Sequence, residues 1–106
     1  MTSNRRLLYW YRKYNALYHG GKLNNDPNIY YDNIDGACDK MGDMWVYPDG
    51  KVLIRISVQH HDFNCVKISI HHEMTHVKIW PDKRHSKAFY KEQDRLIKLG
   101  AYKGLL

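Results

Sequence analysis

Three observations predict an α+β chain with helices at both ends and a small, mainly antiparallel three-stranded sheet between them. Apolar side chains recur at helical spacing over residues 7–18, 66–77 and 89–97. They alternate at strand spacing over residues 52–57. Turn residues separate these stretches: Gly20-Gly21, Asp35-Gly36, Pro48-Asp49-Gly50 and Pro81.

The elements follow in order. Leu7 to Tyr18 reads as the first helix, with Leu7, Tyr11, Tyr14 and Tyr18 on one face and Arg12, Lys13 and Asn15 turned away. That aromatic stripe reads as core in preference to a stacking platform for bases. His19-Gly20-Gly21 ends the helix. Asn28 to Asp32 is a strand, with Ile29 and Tyr31 sharing a face. A second strand is placed at Met44 to Tyr47. After the Pro48-Asp49-Gly50 turn, a third runs from Lys51 to Ser57, with Val52, Ile54 and Ile56 facing one way. The next helix carries Val66, Ile70, Met74 and Val77 on one stripe. Asp62 or Asn64 caps its start, and Pro81 stops it. A last helix runs from about His85 to Leu99, with Phe89, Leu96 and Ile97 as its apolar face and Gly100 ending it.

The 106 residues suit one domain spanning 1–106. Nine Tyr and three Trp exclude a disordered composition. No apolar run approaches a membrane span, and Met1 to Arg6 lacks the apolar core of a signal peptide, so a cytoplasmic, monomeric protein without membrane contact is expected. Cys38 and Cys65 lack CxxC spacing, which excludes a zinc ribbon; both read as free thiols, Cys65 packed at a helix start. The net charge is +6, unevenly spread. Residues 1–25 carry five basic and no acidic side chains, residues 26–62 a net of −4, and residues 63–106 a net of +5. Basic ends fit either solvated helix faces or a polyanionic partner such as DNA, met by the N- and C-terminal helices.

The chemistry concentrates at His72-Glu73-Met74-Thr75-His76, an HExxH motif within the second helical stretch, residues 66–77. Residues four apart on a helix share a face, so both imidazoles can reach one ion. Glu73 lies beside the pair, where a carboxylate can take a proton from a zinc-activated water without being a ligand. A catalytic zinc takes three protein ligands and keeps a fourth position open. The candidates for the third are His85, Glu92 and Asp94. His85 is the best placed, nine residues beyond His76 and past the Pro81 turn. Glu92 needs the last helix to cross the site differently. His71, about 100° round the helix from His72, is expected to meet solvent or the sheet. His19, His60 and His61 have no ligand spacing, although His60 and His61 could line the cleft.

Four stretches in order resemble the SprT-like family of zinc metallopeptidases, which includes Spartan-type DNA–protein crosslink proteases. They are Tyr14-Asn15 through Tyr18-His19-Gly20-Gly21-Lys22-Leu23, Gly36-Ala37-Cys38, Val52 to Ser57, and His72 to His76 followed by His85-Ser86-Lys87-Ala88-Phe89. They span roughly residues 7–97. The family usually has glycine on both sides of its third histidine; here Arg84 and Ser86 stand there, and the gap from His76 to His85 is shorter than usual.

The resemblance implies a minimal zincin-like catalytic domain. In it one zinc is held by His72, His76 and His85, Glu73 is the acid–base residue, and the substrates are proteins or peptides, including DNA-bound proteins. The strand Lys51–Ser57 is the expected cleft edge, and Tyr90, Tyr102 or His60 the expected helper for the developing oxyanion. The tail 101–106 either frays or folds over the cleft as a latency device. The alternative is a non-catalytic, zinc-stabilised basic module that binds DNA or protein, for which a glutamate at position 73 is unneeded.

Overall fold

Tyr11, Leu7 and Tyr14 are buried on one side of the first helix, α1 (Asn4–Tyr18), so its aromatic stripe is core. The computed structural model describes residues 4–34, 41–59 and 62–105. Asn15, expected to turn away with Arg12 and Lys13, is instead fully buried at the end of α1, because its amide is bonded to the returning chain: its Nδ2 donates to the Leu23 carbonyl at 2.9 Å, and its Oδ1 accepts from Leu23 N–H at 3.1 Å. Tyr11 donates its hydroxyl proton to the Asn24 carbonyl at 2.6 Å. These bonds fold residues 19–26 back along α1, and Gly20 takes the left-handed conformation the reversal needs (φ 59°).

The sheet consists of β1 (Asn28–Asp32), β2 (Gly42–Val46) and β3 (Val52–Ser57) in the order β1-β3-β2. The α+β class and the order of elements are as expected, but the sheet is mixed. β2 and β3 form the antiparallel hairpin, with Val46 opposite Val52 and Met44 opposite Ile54. β1 runs parallel to β3, with Ile29 opposite Ile54. The cause is the centrality of β3, whose Val52, Ile54 and Ile56 are buried. Full burial of such side chains is worth about 1.5–3 kcal/mol each, so the most apolar strand takes the middle position. The end of β1 and the start of β2 both lie at the finish of β3. Val58 N–H donates to the Asp32 carbonyl at 3.1 Å, and Ser57 N–H to the Met41 carbonyl at 2.9 Å. A strand that enters on the free side of β3 and ends there must run with it. The expected Asp35-Gly36 turn lies outside the described residues.

β2 begins earlier than expected because Gly42 and Asp43 pair with Ile56 and Arg55, and it ends earlier because Tyr47 belongs to the turn, its carbonyl accepting from Gly50 N–H at 2.9 Å. On the outer face Arg55 bridges all three strands. Its Nε donates to Asp43 at 2.8 Å and its Nη1 to Asp32 at 3.2 Å, with a second short contact to Asp43.

α2 (Phe63–Ile79) packs against α1, β2, β3 and the last helix, α3 (Lys87–Lys98). Asp62 is its N-cap, accepting from Cys65 N–H at 2.9 Å. Val66, Ile70 and Met74 are buried among Leu7, Tyr11, Tyr14, Ile29 and the β3 residues, and Val77 packs against that cluster. α3 starts two residues later than expected, with Ser86 as N-cap, and Gly100 (φ 84°) follows its end. Phe89, Glu92 and Leu96 form its buried side; Ile97, expected there, is half exposed, because Leu96 one residue earlier takes the inward position. No helix among the described residues is long and apolar enough to cross a membrane.

Candidate metal centre

α2 presents different chemistry on different sides. While its Val66–Met74 stripe fills the core, His72 and His76 emerge together toward α3, their ring centroids 5.0 Å apart. His85 arrives from the segment before α3, with its ring 5.0 Å from that of His72 and 5.1 Å from that of His76. One ring nitrogen from each of the three lies within 4.8 Å of the others. Zinc–nitrogen bonds of about 2.0–2.1 Å in tetrahedral geometry put ligand nitrogens about 3.3 Å apart, so closing the group takes at most about 1.5 Å. Behind the imidazoles stands Phe89, nearly fully buried, its centroid 4.9, 4.7 and 4.7 Å from those of His72, His76 and His85.

The protonation state of the rings favours metal binding. Burial, then the neighbouring His76 and His85, lowers His72 to about 4. Burial and His85 also lower His76, against a smaller opposing pull from Asp82. Both rings are therefore neutral near pH 7, which is the state a metal requires. The donor set suits zinc.

The segment carrying His85 is clasped by Asp82. One carboxylate oxygen accepts from Arg84 N–H at 3.0 Å, and the other from the Ser86 hydroxyl at 2.6 Å. Ser86 also caps α3, so Asp82 and Ser86 together fix the residue between loop and helix. Those two hydrogen bonds hold the Asp82 carboxyl below its usual range, the Ser86 bond contributing most.

A cleft of about 540 Å³ opens on this group, with His72, Glu73, His76 and His85 in its wall. Opposite runs the segment Met41–Met44. Glu73 is 4% exposed and lies against Gly42: a Cβ built there would stand 3.2 Å from Glu73 Oε2 and 2.9 Å from the Arg55 carbonyl. The absence of a side chain at position 42 is what lets the strand approach the carboxylate. The expected cleft edge, Lys51–Ser57, is corrected by this arrangement. β3 is hydrogen-bonded on both sides, and the edge strand beside the cleft is β2.

No family model, curated protein or solved structure matches the chain. The site therefore rests on its own geometry.

The other candidates are engaged elsewhere. Glu92 accepts from Lys78 at 2.9 Å and from Arg95 at 2.7 and 2.6 Å, and its Oε2 lies 3.8 Å from His19 Nδ1. Burial pushes Glu92 up, but the hydrogen bonds from Arg95 and Lys78 outweigh it and hold the carboxyl below its usual value. Asp94 is exposed and pairs with Lys98 at 2.9 Å. Tyr90 is exposed and Tyr102 buried beside Leu96, and neither lines the cleft. Ala101 and Tyr102 pack with Leu96, so this part of the tail lies on the helices and not over the cleft. His60, His61, Cys38 and the last residue of the tail lie outside the described residues.

His71 meets neither solvent nor sheet. It is fully buried, stacked on Tyr14 at 3.9 Å and flanked by Tyr18 and Tyr102 at 5.8 and 5.0 Å. Its 100° offset from His72 aims it at α1 and the segment after α3. Neither ring nitrogen meets hydrogen-bond geometry. Burial, then His19, lowers it to about 4, against a weaker contribution from the Ala101 backbone. Sequence reading also missed the positional roles of Gly42, Asp82 and Phe89. For Phe89 a signal existed: it stands four residues after His85, one helical turn on.

Proposed function

We propose that the chain is a zinc-dependent metalloendopeptidase of the SprT-like type. The observation that carries this reading is the convergence of three imidazoles beside a buried glutamate in one open cleft. His72, His76 and His85 would hold the ion. When bound, zinc supplies a Lewis acid that polarises a peptide carbonyl and acidifies water. Glu73 accepts a proton from the attacking water and passes it to the leaving amine. Its burial against Gly42 keeps it in place beside His72. β2, the edge strand, offers backbone groups to an extended substrate.

The test pairs metal content with cleavage. Purified protein should hold one zinc, and His85→Ala should lose most of it. Glu73→Gln should keep zinc and fold yet lose cleavage of a casein-like or DNA-crosslinked protein by roughly 10²–10⁴-fold. Unchanged cleavage by that variant would overturn the reading.

A second reading, a basic module that binds DNA, draws on one surface. Lys67 Nζ lies 4.0 Å above the Trp10 ring, Lys13 Nζ 4.8 Å from the same ring, and the Arg6 guanidinium 3.9 Å from Phe63. Cations interleaved with aromatic rings fit a nucleic-acid strand. The two readings are compatible if the substrate is a DNA-bound protein. Duplex affinity should then fall steeply with salt, and Lys13→Ala with Lys67→Ala should flatten that dependence. Salt-independent or absent binding removes DNA as a partner and leaves the peptidase reading standing.

A further inference from the structure

We infer that Lys83, in the cleft wall beside Trp80 and set against Trp45 at the rim, forms a subsite for a carboxylate-bearing side chain of the substrate. The inference rests on the reading of the cleft as a peptide-binding cleft and names what it selects.

Lys83 lies two residues before His85, on the segment that brings in the third imidazole. Lys83 and Trp80 both line the cleft. Trp45, from the edge strand, meets Trp80 edge to face with ring centroids 5.1 Å apart. The Lys83 ammonium stands 4.1 Å from the Trp45 ring centroid and 5.1 Å from that of Trp80. Two indoles thus hold the cation at the cleft wall, and a charge already positioned loses less freedom on meeting a partner. Trp45 remains 42% exposed, leaving apolar surface for the methylenes of an incoming side chain.

The charge is also uncompensated among the described residues. Among the described residues Lys83 has no carboxylate partner. Asp43, across the cleft, is bound to Arg55, and Asp82 to Ser86 and Arg84. Glu73 lies against Gly42. Lys78 is taken by Glu92 and Arg84 by Asp82, which leaves Lys83 as the Lys or Arg of the cleft lining. A carboxylate is the complement of this wall. A peptide fits better than a nucleic acid, because the same cleft offers the backbone of an edge strand, which pairs with an extended polypeptide.

The experiment uses the full chain, zinc-loaded and carrying Glu73→Gln so that peptides bind uncut. A single Glu is walked through an otherwise neutral octapeptide, with Gln at the same place as control, and affinity is read from tryptophan fluorescence. One position should favour Glu over Gln by roughly three- to tenfold, the range of a partly exposed ion pair. Lys83→Met should bring that ratio to about one, and Lys83→Glu should turn the preference to Lys. The inference is overturned if no position discriminates or if discrimination survives Lys83→Met. It is equally overturned if a single-stranded oligonucleotide binds in a Lys83-dependent way while the peptides show no preference. Cleavage of the same peptides with Glu73 intact separates the two ideas. Selective binding without cleavage removes the peptidase and keeps the subsite, whereas cleavage without a Glu preference does the reverse.

Discussion

Gly42 is the residue where the strand and the carboxylate meet, and its bare Cα is required by distance. A Cβ there would approach the Arg55 carbonyl to 2.9 Å, which backbone cannot readily accommodate, and Glu73 Oε2 to 3.2 Å. Gly42→Ala should therefore cost about 1–3 kcal/mol, the usual range for overpacking, read as a lower urea midpoint. It should also lower the proposed peptidase activity by displacing Glu73, while the metal content of the three-histidine group is unchanged. Unchanged stability would show that β2 has slack. His72, Glu73 and His76 were legible in sequence because their geometry is local: one helical turn sets it. Gly42 was not, since nothing near it in the chain reveals that Glu73 lies opposite. The burial of His71 depends in the same way on partners more than 30 residues distant, Tyr14 and Tyr102.

At the scale of elements, α2 serves two surfaces at once, filling the core with Val66, Ile70 and Met74 and turning His72 and His76 toward α3. Its stripe and cap were readable from spacing alone. The sheet was less so: alternation identifies strands but not neighbours, and only the position of β3 in the middle makes β2 the edge. The segment 82–86 is the weak point of the site, since His85 is exposed and held by the Asp82 clasp. Asp82→Ala should lower zinc affinity on the order of tenfold, as loss of supporting hydrogen bonds around a ligand does, with helix content by circular dichroism unchanged. Competition with a chromophoric chelator measures it. Equal affinity would mean that α3 alone positions His85.

At the scale of the whole molecule, buried histidines tie stability to pH. Burial holds His19 and His71 at about 4, against about 6.5 in an unfolded chain. Folding therefore favours the neutral rings. The stability this supplies is complete above pH 6.5 and is lost as pH falls toward 4, because the unfolded chain then binds more protons. Each such histidine contributes a slope of about 1.4 kcal/mol per pH unit in that window. In metal-free protein His72, also lowered to about 4, adds to the same slope. Urea midpoints with a chelator present should fall steadily from pH 7 to pH 4.5, and His71→Phe should make the fall shallower. A flat profile would mean that these rings are hydrated in solution.

Of the other helices and strands, α3 makes its main contacts with α2 alone, and the metal group spans the junction between them. An ion held at that junction would act as a rivet. Without it, amides of α3 should exchange with deuterated solvent ahead of those in β3; with zinc they should slow toward the rate of global opening. The first piece of the molecule to loosen would then be the piece that completes the site, so that chelation disarms the protein before it unfolds it.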